Sequence, residues 1–216
     1  MSILRHSAVT MYLLYGAPGR ASAAPEALLE EIGVDYEYVH VDPKQLGSNE
    51  AYRKVNPLAQ LPALVHGDRT IWEAAAICLY LCDRHPEAQL APVIEAPDRG
   101  RFYQWLVFLS NTLQPAYMLF FYPDRYCSDP HGARVVGKDA EARITKLWQQ
   151  LEDALVPGPF LLGERMSACD VYLHMLSTWH RESIVSLTAF PRAHRLLALV
   201  AERPGVQRML LRNAGH

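Results

Sequence analysis

The sequence has too little net charge and too few cysteines for several large classes of protein. Its 21 Lys and Arg residues are balanced by 23 Asp and Glu residues, which gives a net charge of -2. Without a basic excess to neutralise phosphates, the composition argues against nucleic-acid binding. Half of the 216 residues are hydrophobic and 20% are charged, which is typical of a globular chain and not of a disordered or coiled-coil one.

The four cysteines form no disulfide-rich pattern for a chain of this length. Cys78 and Cys82 would share one face of a helix, but no nearby Cys or His completes a metal-ligand set at a familiar spacing. We interpret both as buried helix residues and expect no metal. Residues 1–9 contain no apolar stretch long enough for a signal peptide, so a cytoplasmic location is the default expectation.

One long segment lacks charge altogether. No charged residue occurs from Phe102 to Pro123, which is about the length of a bilayer span. Polar residues in its middle, such as Asn111 and Gln114, would be costly facing lipid. We therefore predict a helix at the centre of a helical bundle, kinked at Pro115, and no association with a membrane.

The first third of the chain alternates between strand and helix periods, in the order β-α-β-α-β-β-α. The predicted strands and helices are Met11 to Tyr15, Ser22 to Ile32, Tyr36 to Val41, Asn49 to Val55, Leu61 to His66, Arg69 to Trp72 and Glu73 to Arg84. The long first crossovers imply parallel pairing, and the Gly67-Asp68 turn implies an antiparallel last pair. Ser22 is predicted to be the N-cap of the first helix.

Two domains are predicted from this change of pattern. Residues 10–86 form an α/β domain with a mixed four-stranded sheet, residues 87–97 are a linker without periodicity, and residues 98–216 are all-helical. Within the second domain, Ser167 and Asp170 have the spacing of a capping box.

Two positions in the first domain suggest a binding site. A cis Leu61–Pro62 bond would leave the N–H and C=O of Leu61 free for an extended peptide, whereas a trans proline would simply begin a strand. Glu73 lies at a helix start, where N–H groups favour an anion, but it can equally be a solvated first-turn residue.

Five segments together resemble the glutathione S-transferase superfamily, in particular its bacterial-type cytosolic members. They read YLLYGAPG, LLEEIGVDYEYV, NPLAQLPALV, TIWEAAAICLYL and FLLGERMSACDVYLHML, and the resemblance extends from about Thr10 to Leu211. It implies a thioredoxin-like first domain that holds glutathione as co-substrate and an all-α second domain. It also implies a pocket for a small hydrophobic electrophile and a homodimer.

The resemblance also implies where glutathione binds. Glutathione would pair with the backbone of Leu61 beside Pro62, with Glu73 anchoring its γ-glutamyl end and Arg20 near its thiolate. The family usually has Ser after this acidic or amide residue, and here Ala74 lacks the hydroxyl. Glycine is common in the family at the position of Ala59, and alanine there is a milder departure.

The residue that activates the thiol is less clear from the sequence. Gly19 and Ala21 stand where some classes have the catalytic serine or cysteine. The nearest hydroxyls are those of Ser22 and Tyr15, although the first is explained as an N-cap and the second as a core strand residue. An O–H or backbone N–H that donates to a thiolate lowers the pKa of the thiol, so the amides of residues 19–21 are further candidates.

The central helix is expected to supply the second substrate's pocket through Tyr103, Asn111 and Tyr117, unless these residues belong to the interior of the bundle. Glutathione conjugation is the favoured function. The alternatives are a binding or regulatory protein with weak or no catalysis and a glutathione-dependent isomerase. Disulfide reduction is disfavoured because no cysteine stands at the first helix.

Overall fold

The first domain is built on a four-stranded mixed sheet in a computed structural model that describes residues 11–155 and 158–214. The strands are β1 (Tyr12–Gly16), β2 (Tyr36–His40), β3 (Ala63–His66) and β4 (Arg69–Trp72). They are ordered β2-β1-β3-β4, with β1 parallel to β2 and the two other pairs antiparallel. The predicted mixed sheet is confirmed.

The direction of β3 corrects one expectation. Parallel pairing is found after the first long connection, but β3 runs antiparallel to β1, with Ala63 opposite Tyr15. The helix in the second connection, α2 (Glu50–Val55), has six residues and a rise of about 9 Å. Because so short a helix does not return the chain along the full length of a strand, β3 starts at the end where β2 stops.

The remaining helices surround the sheet and form the second domain. In the first domain these are α1 (Ala23–Ile32) and α3 (Ala74–Arg84). Those of the second domain are α4 (Arg99–Phe108), α5 (Gln114–Phe121), α6 (Pro130–Ala154), α7 (Ala168–Ser177), α8 (Pro191–Ala201) and α9 (Pro204–Ala214). The capping box predicted at Ser167 and Asp170 is present at the start of α7.

The long uncharged segment forms most of α4, a π-helical stretch at Leu109–Leu113 and all of α5. The N–H of Gln114 donates to the carbonyl of Leu109, five residues back. Pro115 has no N–H to continue the α-helical ladder, so the irregularity precedes it as π turns. No helix in the described ranges is long and apolar enough to cross a membrane.

One cluster of buried side chains joins the two domains. It includes Leu28 of α1, Leu173 of α7 and Val206 of α9. Helix α1 packs against both α7 and α9, and an ion pair of 2.6 Å joins Glu31 to Arg203 at the edge of this contact. The position of the helical domain over the sheet is therefore determined largely through α1.

The remaining expectations concern cysteines and chain ends. Cys78 and Cys82 are buried in α3. Within residues 11–155 and 158–214, no group of three or more His, Cys, Asp or Glu side chains is placed to hold a metal ion. The signal-peptide expectation concerns residues 1–9, which lie outside the described residues, as do the predicted domain ends at residues 10 and 216.

Candidate active site

Three segments of the first domain meet at one end of the sheet. The strand register places Ala63 opposite both Tyr15 and Trp72. The loop after β1, the residues before β3 and the start of α3 therefore lie side by side. Both α1 and α3 begin at this end, and the N–H groups of helix N-termini favour negatively charged ligands.

Leu61 and Pro62 form the middle of these three segments. Their peptide bond is cis, which is one of the two alternatives that the sequence leaves open. The N–H and C=O of Leu61 make no hydrogen bond with any described residue. They are available to an extended peptide that runs along this end of the sheet.

Two buried residues that the sequence analysis missed shape the loop before Leu61. The hydroxyl of Tyr52 and the Nδ2 group of Asn56 both donate to the carbonyl of Gln60, at 2.6 and 2.7 Å. Asn56 Oδ1 accepts from the N–H of Leu58 at 3.1 Å. Burial raises the pKa of Tyr52 to about 12, so its hydroxyl stays a donor. The signal in the sequence is the Asn-Pro pair that opens the loop.

Ala59, in the same loop, is not the mild replacement for glycine that the resemblance to the family suggested. Its φ is 51°, in the left-handed region that favours glycine. A residue with a Cβ in this region is strained by roughly 1–2 kcal/mol. Alanine therefore stores local strain in the segment that presents Leu61.

We expect Ala59→Gly to raise the free energy of unfolding by about 0.5–1 kcal/mol, because the relief of strain exceeds the entropy that glycine loses on folding. Chemical denaturation measures this. Ala142→Gly is the matched control, because Ala142 is exposed inside α6 and the same change there costs about 1 kcal/mol. A loss of stability in both variants would contradict the prediction.

Glu73 and Ala74 form the third segment, at the start of α3. The Glu73 backbone has a φ of 66°, and its carbonyl accepts from the N–H of Ile77 at 2.9 Å. The exposed carboxylate makes no hydrogen bond or ion pair with a described residue. Strained backbone at a non-glycine residue is concentrated at functional sites. Ala74 is buried and brings no donor.

Ser22 does not act as the predicted N-cap. It directly precedes α1, but its side chain makes no capping bond. The hydroxyl instead accepts from the N–H of Ala17 at 3.2 Å and donates to the carbonyl of Ala17 at 3.1 Å. With 1% of its surface exposed, Ser22 closes the loop after β1 and does not present its hydroxyl at the surface.

The other residues of this loop are arranged differently. Gly19, Arg20 and Ala21 line a cavity, whereas Tyr15 packs against Tyr52 with ring centroids 5.7 Å apart and does not line it. The N–H of Arg20 donates to the Ala17 carbonyl at 3.3 Å. The N–H groups of Gly19 and Ala21 have no hydrogen-bond acceptor among the described residues.

The cavity has a volume of about 920 Å³ and lies between the two domains. Its lining from the first domain includes Arg20, Ala21, Leu46, Gln60 and Leu61. Its lining from the second domain includes Gln114, Met118, Phe121, Tyr122, Trp179 and Arg181. The guanidinium of Arg20 bridges the two walls by donating to the hydroxyl of Tyr122 at 3.1 Å.

The three pocket residues expected on the central helix are not among the described residues that line this cavity. Tyr117 is fully buried, and its hydroxyl accepts from Trp148 Nε1 and pairs with His180 Nδ1, both at 2.8 Å. Tyr103 and Asn111 are exposed elsewhere on the helix. The segment contributes to the cavity through Met118 and its neighbours instead.

Comparison with known proteins supports a single family. Residues 10–83 match the family model for the glutathione S-transferase N-terminal domain. The chain is 30% identical over 197 residues to glutathione S-transferase GstA of Escherichia coli O157:H7, an alignment that covers 90% of this chain and 94% of GstA. The chain belongs to the glutathione S-transferase family.

Solved glutathione S-transferase structures confirm the two-part fold. The bacterial enzyme BphK, solved as a ternary complex, is 29% identical with a TM-score of 0.83, covering 94% of this chain and 99% of BphK. A sphingomonad glutathione S-transferase complexed with glutathione is 28% identical with a TM-score of 0.82, covering 94% and 98%. The predicted thioredoxin-like first domain and helical second domain are therefore those of a glutathione S-transferase.

Proposed function

We propose that this glutathione S-transferase conjugates the thiolate of glutathione to a small hydrophobic electrophile. One observation carries the proposal: the free backbone of Leu61, the N-terminus of α1 and the N-terminus of α3 meet at one end of the sheet. Leu61 and the residues before α1 also line the cavity between the domains. A tripeptide at this end of the sheet would have its sulfur close to a space large enough for a second substrate.

Glutathione is an extended tripeptide with an ammonium and a carboxylate at its γ-glutamyl end. The N–H and C=O of Leu61, held in place beside Pro62, pair with its cysteinyl residue. Glu73 attracts the ammonium, while N–H groups at the start of α3 attract the carboxylate. Because Ala74 has no hydroxyl, glutathione binds less tightly than it would with a serine at this position, by about 0.5–1.5 kcal/mol.

Backbone amides, not a side-chain hydroxyl, stabilise the thiolate in this proposal. Support comes from Ser22, whose hydroxyl is buried and bonded at Ala17, and from Tyr15, which does not line the cavity. The free N–H groups of Gly19 and Ala21 at the start of α1 and the nearby charge of Arg20 favour an anionic sulfur. The thiolate then forms a bond to carbon. With an aryl halide, the halide leaves with the bonding electron pair and the thiol proton passes to solvent. With an epoxide or an unsaturated carbonyl, the displaced electron pair stays on the product and takes up a proton.

A binding or regulatory protein remains the second candidate function. It is favoured by Gly19, Ala21 and Ala74, three positions without a side-chain donor at the end of the sheet where glutathione would bind. Such a protein would keep the fold to bind glutathione or another ligand, with weak or no conjugation.

We also propose that the protein acts as a homodimer in the cytoplasm. Large apolar side chains are exposed in both domains, among them Leu58 with 59% and Val107 with 55% of their surface accessible. A second copy of the chain would cover such residues.

Calorimetric titration with glutathione, followed by turnover of a panel of aryl halides, epoxides and unsaturated carbonyls, tests the proposed function. Saturable binding with a dissociation constant between micromolar and millimolar, together with conjugation of some of these electrophiles, is the expected result. Binding without turnover would favour the regulatory alternative. Absence of binding would exclude glutathione conjugation and would favour a binding protein that keeps the fold for another ligand.

A further inference from the structure

The second-domain wall of the cavity carries positive charge that no acidic residue neutralises. Arg125 and Arg181 both line the cavity, and no Asp or Glu occurs among its described lining residues. Their chain neighbours Asp124 and Glu182 form no ion pair with them, and none of the ion pairs between described residues involves either arginine. An anionic ligand in the cavity would therefore meet two unpaired guanidinium groups.

Aromatic contacts hold both guanidinium groups in place. The Cζ atom of Arg181 lies 5.1 Å from the centre of the Phe121 ring, and its Nη1 donates to the carbonyls of the three preceding residues, at 3.5, 3.3 and 2.9 Å. The Cζ atom of Arg125 lies 4.1 Å from the centre of the Tyr122 ring. A guanidinium has five N–H donors. The Nε and Nη2 groups of Arg181 and the whole guanidinium of Arg125 make no hydrogen bond with a described residue, so these donors are available to a ligand.

The rest of this wall suits a flat aromatic molecule. Tyr122, Tyr126 and Trp179 present rings, and Met118 adds an adaptable apolar side chain. A ring stacked here would place a substituent within the reach of the two arginines. Arg20 lies on the opposite wall, in the loop before α1, and its guanidinium donates to the Tyr122 hydroxyl.

We propose that the electrophile is an aromatic acid, whose carboxylate is bound by Arg125 and Arg181 while its ring contacts the aromatic wall. This inference rests on the proposed function, because it specifies the second substrate of the same site. Such a site is more selective than a hydrophobic pocket, because a neutral molecule of the same shape would gain no binding energy from the two charges.

A matched substrate pair tests the preference for acids: 4-chloro-3,5-dinitrobenzoate and 4-chloro-3,5-dinitrobenzamide. In each reaction the thiolate forms a C–S bond at the carbon that carries chlorine, chloride leaves with the bonding pair, and the thiol proton passes to solvent. For each substrate, kcat/KM is divided by the rate constant of its uncatalysed reaction with glutathione. We expect this ratio to be about tenfold higher for the benzoate than for the benzamide. An equal or higher value for the amide would overturn the inference and leave the proposed function intact.

Variants assign this preference to the two arginines. Arg125→Gln and Arg181→Gln should each lower the benzoate-to-amide ratio of kcat/KM about three- to tenfold, mainly by raising the KM for the benzoate. Arg195→Gln, on the exposed side of α8, is the control and should leave the preference unaltered. A preference that survives both cavity variants would overturn the assignment.

Binding without turnover separates this inference from the proposed reaction. S-(4-carboxybenzyl)glutathione should bind more tightly than S-(4-carbamoylbenzyl)glutathione by a similar factor in calorimetry. If no electrophile is conjugated but the acid binds more tightly, the conjugation proposal fails and the anion site stands. If neither compound binds, both are overturned.

Discussion

Glu73→Ala is expected to weaken the binding of glutathione by at least tenfold, the largest effect on ligand affinity that we expect from one substitution. Glu73 is exposed at the start of α3, and no described residue pairs with its carboxylate. A hydrogen bond between charged groups contributes about 1.5–3 kcal/mol, which corresponds to roughly 10- to 150-fold in affinity. Calorimetric titration with glutathione measures the loss.

A matched control separates this effect from a general change in helix electrostatics. Glu50 is another exposed glutamate at a helix start, in the first turn of α2, whereas Glu73 directly precedes α3. Glu50→Ala should leave the affinity unchanged. Glu73→Gln keeps the shape but not the charge, so its affinity should lie between those of wild type and Glu73→Ala. If Glu73→Ala binds glutathione with the affinity of the wild type, Glu73 does not anchor the ligand and the proposed position of glutathione is wrong.

Asp170→Ala is expected to lower the free energy of unfolding by about 3–5 kcal/mol. The buried carboxylate accepts from the N–H of Leu161, the N–H of Ser167 and the hydroxyl of Ser167, each at 2.8 Å. Its removal leaves these donors buried without an acceptor. Each donor that no water reaches then destabilises the folded state by about 1–3 kcal/mol. Denaturant unfolding at pH 7 measures the loss, and Asp139→Ala on the exposed face of α6 should change stability by less than about 0.5 kcal/mol.

The difference in stability between wild type and Asp170→Ala should decrease as the pH rises. Burial raises the pKa of Asp170 to about 6, against the lowering effect of its three donors. Because the folded pKa exceeds the unfolded one, the proton stabilises the folded state below the unfolded pKa, and this contribution is lost as the pH rises through about 6. The stability gap between wild type and Asp170→Ala should therefore be larger at pH 4.5 than at pH 7.5. A gap that widens with pH would contradict the raised pKa.

Local patterns were enough to predict most of the elements but not their directions. The capping box at Ser167 and Asp170 depends on four consecutive residues, so it can be identified without tertiary structure. The antiparallel direction of β3 depends on how far the chain between β2 and β3 travels in space. Its short helix α2 is visible in the sequence, but the distance that it has to cover is not.

The candidate site divides in a similar way. Leu61, Pro62 and Glu73 come from motifs at element boundaries, and the structure places them together at one end of the sheet. The hydroxyl of Ser22 is taken up by Ala17. Tyr117 faces Trp148 and His180. In these two cases the residue lies on a predicted element, and only the identity of its neighbours decides whether its hydroxyl is available.

By itself, the sequence determined the order of strands and helices and the two-part fold. Hydrophobic period, caps and turn residues act over a few positions, so they can be interpreted without knowing what packs against them. The tertiary structure decided which side chains line the cavity and that Arg125 and Arg181 face it without acidic partners. That cavity exists because α1 packs against α7 and α9, and contacts between residues far apart in the chain leave no local pattern.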